Sequence, residues 1–317
     1  MKKKLYEYAE DMIQFKMSLG YSRKTYEGFL DDFVRYWETK YPDADFLTEE
    51  IAQGWCCQRR TENASGFHRR ALALREFSKY LFSIGESDYI LPSDYTARQT
   101  RYTPYIFSDK ELAAIFDASD RMEPHPNSPY RQIIAPVMLR LIYFCGLRPN
   151  EGREIQNKDV DLDNGILFIR KNKSHRERRI PMTEDVTDMC RDYRKKISFF
   201  YPDSPYFFPS QEGVPYSSKW LTRQFLMLWN KVRMPENTAR VRVYDLRHRY
   251  ATAVMMKWLD NGEDLYTCLP YLSAYMGHAE FSDTAYYIHL LPEKLVRSKS
   301  INWGRFSRLV PEVQENE

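Results

Sequence analysis

The chain has 317 residues, 43% of them hydrophobic and 29% charged, a length that predicts two domains and a balance that excludes intrinsic disorder. No apolar run reaches the ~18 residues of a membrane-spanning helix, so no membrane partner is expected. Lys and Arg outnumber Asp and Glu by 47 to 44, a net charge of +3, so a polyanion would have to be met by local clusters. The five cysteines (Cys56, Cys57, Cys145, Cys190 and Cys268) contain no Cys-x-x-Cys pair. That argues against a zinc ribbon or a disulfide framework and for reduced thiols in the cytoplasm. The start, Met1-Lys2-Lys3-Lys4, is basic but leads into no apolar stretch, so no secretory signal is expected.

The first ninety residues read as helices. Apolar residues recur at three- and four-residue spacing over Leu5 to Leu19 and Thr25 to Trp37, with Gly20-Tyr21-Ser22 between them. Two further segments, about Thr48 to Gln58 and Ser65 to Phe82, complete a four-helix bundle over residues 1–91. Residues 92–106 carry Pro92, Thr100, Thr103 and Pro104 without a periodic apolar face, and read as a linker.

A second domain, residues 107–317, opens on a capping box of Ser108 and Glu111 with a staple of Phe107 against Leu112. An apolar helix over Ile133 to Cys145 stops at Gly146. Turn chemistry at Asp163-Asn164-Gly165 introduces a short hairpin, Ile166–Ile169 and Arg178–Pro181, with a basic tip between. Helices return at about Glu184 to Lys196, Ser218 to Val232, Tyr244 to Leu259 and Pro270 to Met276, with one or two more after Ser282. The fold class is mainly α: a four-helix N-terminal domain and a mostly helical second domain with a small antiparallel sheet.

Basic residues cluster in three places. The doublets Arg59-Arg60 and Arg69-Arg70 flank the loop between the last two bundle helices. Six of the ten residues from Arg170 to Arg179 are Lys or Arg, and Arg240, Arg242, Arg247 and Arg249 alternate with other residue types. Any one cluster reads as a solvated face; three point to nucleic acid, with Arg59, Arg60, Arg69, Arg70, Lys171 and Arg176 as expected DNA contacts.

Four features carry candidate chemistry. In Gly146-Leu147-Arg148-Pro149-Asn150-Glu151, an arginine follows a buried helix and Glu151 can orient it. At the hairpin tip a lysine can protonate a leaving group. In Tyr244-Asp245-Leu246-Arg247-His248, Tyr244 and Arg247 share a helix face, while Leu246, Tyr250, Val254 and Trp258 make a separate stripe that buries the helix. Gly277 ends a helix and fixes His278 on a turn, with Tyr287 nine residues on.

Together these residues resemble the tyrosine recombinases, or phage integrases. That family has a Gly-Leu-Arg-x-x-Glu box, a lysine on a β-turn, a His-x-x-Arg box, a Gly-His pair and a tyrosine nine residues beyond that histidine. Arg148 with Glu151 matches the first. Lys173-Ser174-His175-Arg176-Glu177-Arg178-Arg179-Ile180-Pro181 matches the family's lysine stretch and selects Lys173 over Lys171. Leu246-Arg247-His248, Gly277-His278 and Tyr287-Ile288-His289 complete the series over residues 107–290. One box departs: Tyr244 stands where the family has histidine, and a phenol with a pKa near ~10 donates hydrogen bonds but accepts protons poorly at neutral pH.

The resemblance implies a site-specific DNA recombinase of integrase type, acting through a 3′-phosphotyrosine intermediate without metal, cofactor or ATP. It implies Tyr287 as nucleophile, with Tyr286 the alternative, and Arg148 and Arg247 on the scissile phosphate. Lys173 would be the general acid and His278 a donor or proton carrier; Tyr244, Glu151 and His248 complete the expected site. The cationic cluster is expected to lower the Tyr287 pKa. Partners are double-stranded DNA, other copies in a tetramer docked through residues 291–317, and a companion recombinase in some members; carriage by a mobile element would be in keeping. The rival expectations are a type IB topoisomerase-like relaxation activity and a catalytically impaired DNA-binding relative.

Overall fold

The computed structural model describes residues 4–95, 102–170 and 177–291. It divides into two compact units, Met1–Tyr102 and Thr103–Glu317. In the first, α1 (Leu5–Ser18), α2 (Glu27–Lys40), α3 (Glu49–Trp55) and α4 (Ala64–Ser83) form the bundle. Its starts are chemically set: Thr48 Oγ1 accepts from the Ile51 N–H at 3.3 Å and Asn63 Oδ1 from the Gly66 N–H at 2.8 Å. Met12, Leu30, Phe33, Leu74 and Phe77 are fully enclosed, and the Phe33 ring meets Trp55 and Phe77 edge-on at 5.2 and 6.2 Å.

One of the expected DNA contacts belongs to this core instead. Arg70 is 2% exposed. Its guanidinium donates to both Glu62 carboxylate oxygens, at 2.8 and 2.9 Å, and to the carbonyls of Trp55 and Cys57. Burial acts against its charge, but Glu62 outweighs burial and the pKa is raised. Its spacing from Leu74 and Phe77 puts Arg70 on the inward stripe of α4, so it is a structural cation and not a phosphate contact. Arg59, Arg60 and Arg69 are exposed, Arg59 in an ion pair with Asp32.

The second unit begins with α5 (Asp109–Asp120), capped as the sequence predicts: Glu111 Oε2 accepts from the Ser108 N–H at 2.8 Å, and Phe107 and Leu112 are buried. The expected linker is packed at its end. Pro104 is buried, and the Tyr105 hydroxyl donates to Glu111 at 2.6 Å while its ring lies 5.5 Å from Trp229. Next come α6 (Arg131–Phe144), α7 (Pro149–Arg153) and a sheet of β1 (Val160–Asp161), β2 (Ile166–Ile169) and β3 (Arg178–Pro181), antiparallel in that order with Leu167 opposite Ile180. Helices α8 (Glu184–Phe200), α9 (Ser218–Val232), α10 (Tyr244–Asp260), α11 (Leu265–Met276) and α12 (Phe281–Ala285) follow, then a 3₁₀ turn over Tyr286–Leu290.

Among the elements that differ from expectation, two do so for definable reasons. The two-residue strand β1 is too short to show an alternation. Helix α11 starts five residues before Pro270, because Asp264 caps it and Leu265, Leu269, Leu272 and Met276 bury one face. That burial offsets the hydrogen bond the internal proline omits.

Two apolar cores fill this unit. One gathers α5, α6, α8, α9 and the sheet around Leu139, Ile142 and Phe225; the other gathers Ala251, Met255, Leu269, Leu272 and Met276 with Tyr287 and Ile288. Helix α10 spans both, since Leu246 belongs to the first and Ala251 to the second. Arg247 lies at that junction.

Candidate active site

The site is built on two helix ends and one helix start. Gly146 follows α6 with φ +57°, and a Cβ there would lie 2.6 Å from the Tyr250 ring, so the position needs glycine on both counts. The turn it makes buries Leu147 and leaves Arg148 as the N-cap of α7, with Pro149 at the first helical position. Glu151 then closes the turn: its Oε2 accepts from the Arg148 N–H at 2.9 Å and its Oε1 from Arg148 Nη1 at 2.8 Å. Arg148 Nη2 donates to the Gly277 carbonyl at 2.8 Å.

Glu151 serves a second arginine that the sequence reading did not single out. Arg178 on β3 donates to both Glu151 oxygens, at 3.0 and 2.7 Å, and through Nε to the Tyr275 carbonyl at 2.9 Å. A Cβ at Gly277 would lie 2.9 Å from Arg178 Nη1. The signal was present in the strand period: Arg178 shares a face with the buried Ile180, so its side chain had to point inward. Burial raises the Glu151 pKa, but Arg178 and then Arg148 outweigh it and the net shift is downward.

Arg247 departs from the expected geometry. It does not project away from the buried face of α10; it is part of that face, aligned with Ala251 and Met255 at four-residue spacing and wholly unexposed. Nη1 donates to the Gly146 carbonyl and Nη2 to the Met276 carbonyl, each at 2.6 Å, and Nε has no hydrogen-bond partner. No ion pair to a described carboxylate neutralises it, and burial lowers its pKa, with Arg148's charge adding. A dry, uncompensated guanidinium is expensive to bury and well suited to an arriving anion.

The tyrosine and two histidines adjoin it. Gly277 adopts the left-handed conformation that ends α11 (φ +65°), fixing His278, whose Nδ1 lies 2.6 Å from Thr284 Oγ1. The Tyr287 ring is 2% exposed, with the His248 and His278 rings 5.4 and 5.9 Å away. Tyr286 is half-buried, its ring 6.4 Å from that of Tyr287. Tyr244, the first residue of α10, places its ring 5.0 Å from His248. Lys171, Lys173 and Arg176 lie outside the described residues.

The expected acidification of Tyr287 is not found. Burial dominates and pushes its pKa up to about 12, against the opposing pull of Arg247 and Arg148. Enclosure in the apolar cluster with Met276 and Ile288 desolvates the phenolate more than the two cations stabilise it. Both histidines are held neutral, near 3: burial first, then Arg247 and Arg242 at His248, and Arg247, Arg148 and Arg178 at His278.

Two guanidinium groups, two neutral imidazoles and a phenol, drawn from four chain segments, are a set suited to phosphoryl transfer. Residues 106–294 match the phage integrase family. The chain belongs to that family. Over 285 residues it is 32% identical to y4rE of Sinorhizobium fredii (strain NBRC 101917 / NGR234), an integrase/recombinase by name, covering 89% of this chain and 90% of the relative. It is 25% identical to the tyrosine recombinase XerC of Bacillus licheniformis over 87% of this chain and 89% of the other. Among solved structures, XerH site-specific recombinase with a palindromic difH substrate aligns at a TM-score of 0.63 and 20% identity, over 86% of this chain and 77% of that one. A lambda integrase tetramer on a Holliday junction aligns at 0.62 and 14% identity, over 89% and 76%. At those identities the likeness is one of fold.

Proposed function

We propose that the chain is a site-specific recombinase that cuts and rejoins duplex DNA through a covalent bond between Tyr287 and a 3′-phosphate. As a tyrosine recombinase it is an enzyme of DNA strand breakage and rejoining, and a merely DNA-binding or topoisomerase-like role is not favoured. The observation that carries the reading is the uncompensated Arg247 guanidinium, wholly buried at the junction that also holds Arg148, His278 and Tyr287.

In the proposed reaction the scissile phosphate takes up Arg247 and Arg148 as fork-shaped donors to its non-bridging oxygens, where negative charge grows. Tyr287 Oη forms a bond to phosphorus while the bond to the 5′-oxygen breaks, and Lys173 protonates the departing oxygen. His278, fixed by Thr284, donates to the phosphate. Energy is kept in the phosphotyrosine, so a second DNA 5′-hydroxyl can reverse the step on a new partner. Arg59, Arg60, Arg69, Lys171 and Arg176 would contact the DNA backbone, making affinity strongly salt-dependent. Copies would associate on DNA through residues 291–317. Among the described residues no helix is long and apolar enough to cross a membrane.

The test uses nicked duplexes from DNA flanking the gene, whose short 5′-hydroxyl fragment diffuses away after cleavage. The expected result is a detergent-stable protein–DNA adduct with the wild type and with Tyr286→Phe, and none with Tyr287→Phe.

A further inference from the structure

The Tyr287 proton needs a destination. Tyr244 occupies the place of the family's box histidine, and its phenol does not accept a proton at neutral pH. His278 is tied through Nδ1 to Thr284 at 2.6 Å. One helical turn beyond Tyr244 on α10, His248 adjoins both residues in question, its ring 5.0 Å from that of Tyr244 and 5.4 Å from that of Tyr287. Its Nδ1 is buried and has no hydrogen-bond partner. A dry, unpartnered ring nitrogen beside a nucleophile calls for a reason, because such atoms ordinarily find partners.

We propose that His248 is the proton acceptor for Tyr287 in this chain, doing from the next turn of α10 what Tyr244 does not do. The inference rests on the recombinase reading given above. In the step, the Tyr287 hydroxyl proton passes to an imidazole nitrogen of His248, directly or through one water. The phenolate oxygen bonds to phosphorus, the bond to the 5′-oxygen breaks, and Lys173 protonates that oxygen. Rejoining returns each proton to its source.

The surrounding charges make this base conditional. The groups facing His248 are Arg247 and Arg242, with Tyr244, Tyr287 and His278, and burial together with the two arginines holds the imidazole neutral and weakly basic in the free protein. A phosphate on Arg247 would cancel the larger of those repulsions and raise the basicity of His248 as the substrate arrives.

The experiment follows single-turnover adduct formation from pH 6 to pH 9 on the nicked duplexes, with DNA binding of every full-length variant measured by gel shift. His248→Ala and His248→Asn are each expected to lower the rate at pH 7 by on the order of 10²–10⁴-fold with binding kept. Their rates should climb about tenfold per pH unit as hydroxide replaces the lost base. Tyr244→His should restore most of the rate to His248→Ala, because the box histidine is then present. Wild-type rate in His248→Asn, which keeps a hydrogen-bonding group but cannot take the proton, overturns the proposal. So does an equal loss from His248→Ala whether position 244 is Tyr or His, or an unchanged pH profile. A wild type that binds the DNA yet forms no adduct overturns the recombinase reading itself, an outcome separate from these.

Discussion

Each unit encloses an arginine almost completely, Arg70 in the first and Arg247 in the second, and the two are treated in opposite ways. In the helical bundle, Arg70 has a carboxylate on its fork, two carbonyls beyond it and the Trp55 ring 4.7 Å away. In the second unit, Arg247 has two carbonyls, an idle Nε and no carboxylate. Arg70 is neutralised within the protein and its pKa rises; Arg247 is left charged and its pKa falls. A buried cation that the fold neutralises is holding the fold together, whereas one left unneutralised is held for something that comes from outside.

Four measurements break or sharpen that contrast. Arg70→Met leaves Glu62 without its partner in a half-enclosed site, so it should destabilise the protein by about 3–5 kcal/mol in chemical denaturation and leave the chemistry of any remaining folded protein unchanged. Arg247→Met should do the reverse. Adduct formation should fall by about 10²–10³-fold, while the melting temperature stays level or rises, since an uncompensated charge has been removed. Equal thermal losses in both variants would end the distinction.

Gly277→Ala tests the carbonyls that hold the arginines. A side chain at φ +65° is strained and its Cβ presses on Arg178, so a loss of about 1–2 kcal/mol is expected, with slower adduct formation. The fourth effect appears only in acid. His248 and His278 are held near 3 in the folded chain against an ordinary 6.5. Below about pH 6.5 the unfolded chain takes up protons that the folded one refuses, so stability present at neutral pH is lost as pH falls toward 3. Each histidine adds a slope of about 1.4 kcal/mol per pH unit within that window. His278→Gln should make the urea midpoint less pH-dependent by one such share.

Much of this was legible from residue order. The Ser108–Glu111 box, the stop at Gly146, the turn at Gly165 and the left-handed Gly277 are local features, and local chemistry is what a sequence displays. The inward direction of Arg178 was visible in the strand period, but its partners, like the inward turn of Arg247, depend on which helix ends arrive from elsewhere in the chain. The downward shift expected for Tyr287 failed for a related reason: nearby cations are visible as motifs, but enclosure beside Met276 and Ile288 is set by packing. Arg70 shows the converse error, in which a basic doublet hid one exposed residue and one core residue.

The ligands that position Arg247 and Arg148 have a consequence for synthesis on the ribosome. Arg247 is held by carbonyls 101 residues before it and 29 after it, and Arg148 by one 129 residues downstream. Helices α5 to α9 can therefore collapse while the chain is still being made, yet neither arginine has its full set of ligands until Met276 and Gly277 have emerged and α11 has docked. Tyr287 comes later still. The site is complete only once α11 has docked, and a chain truncated before Met276, however well its first core has folded, carries Arg247 and Arg148 without the Met276 and Gly277 carbonyls that aim them.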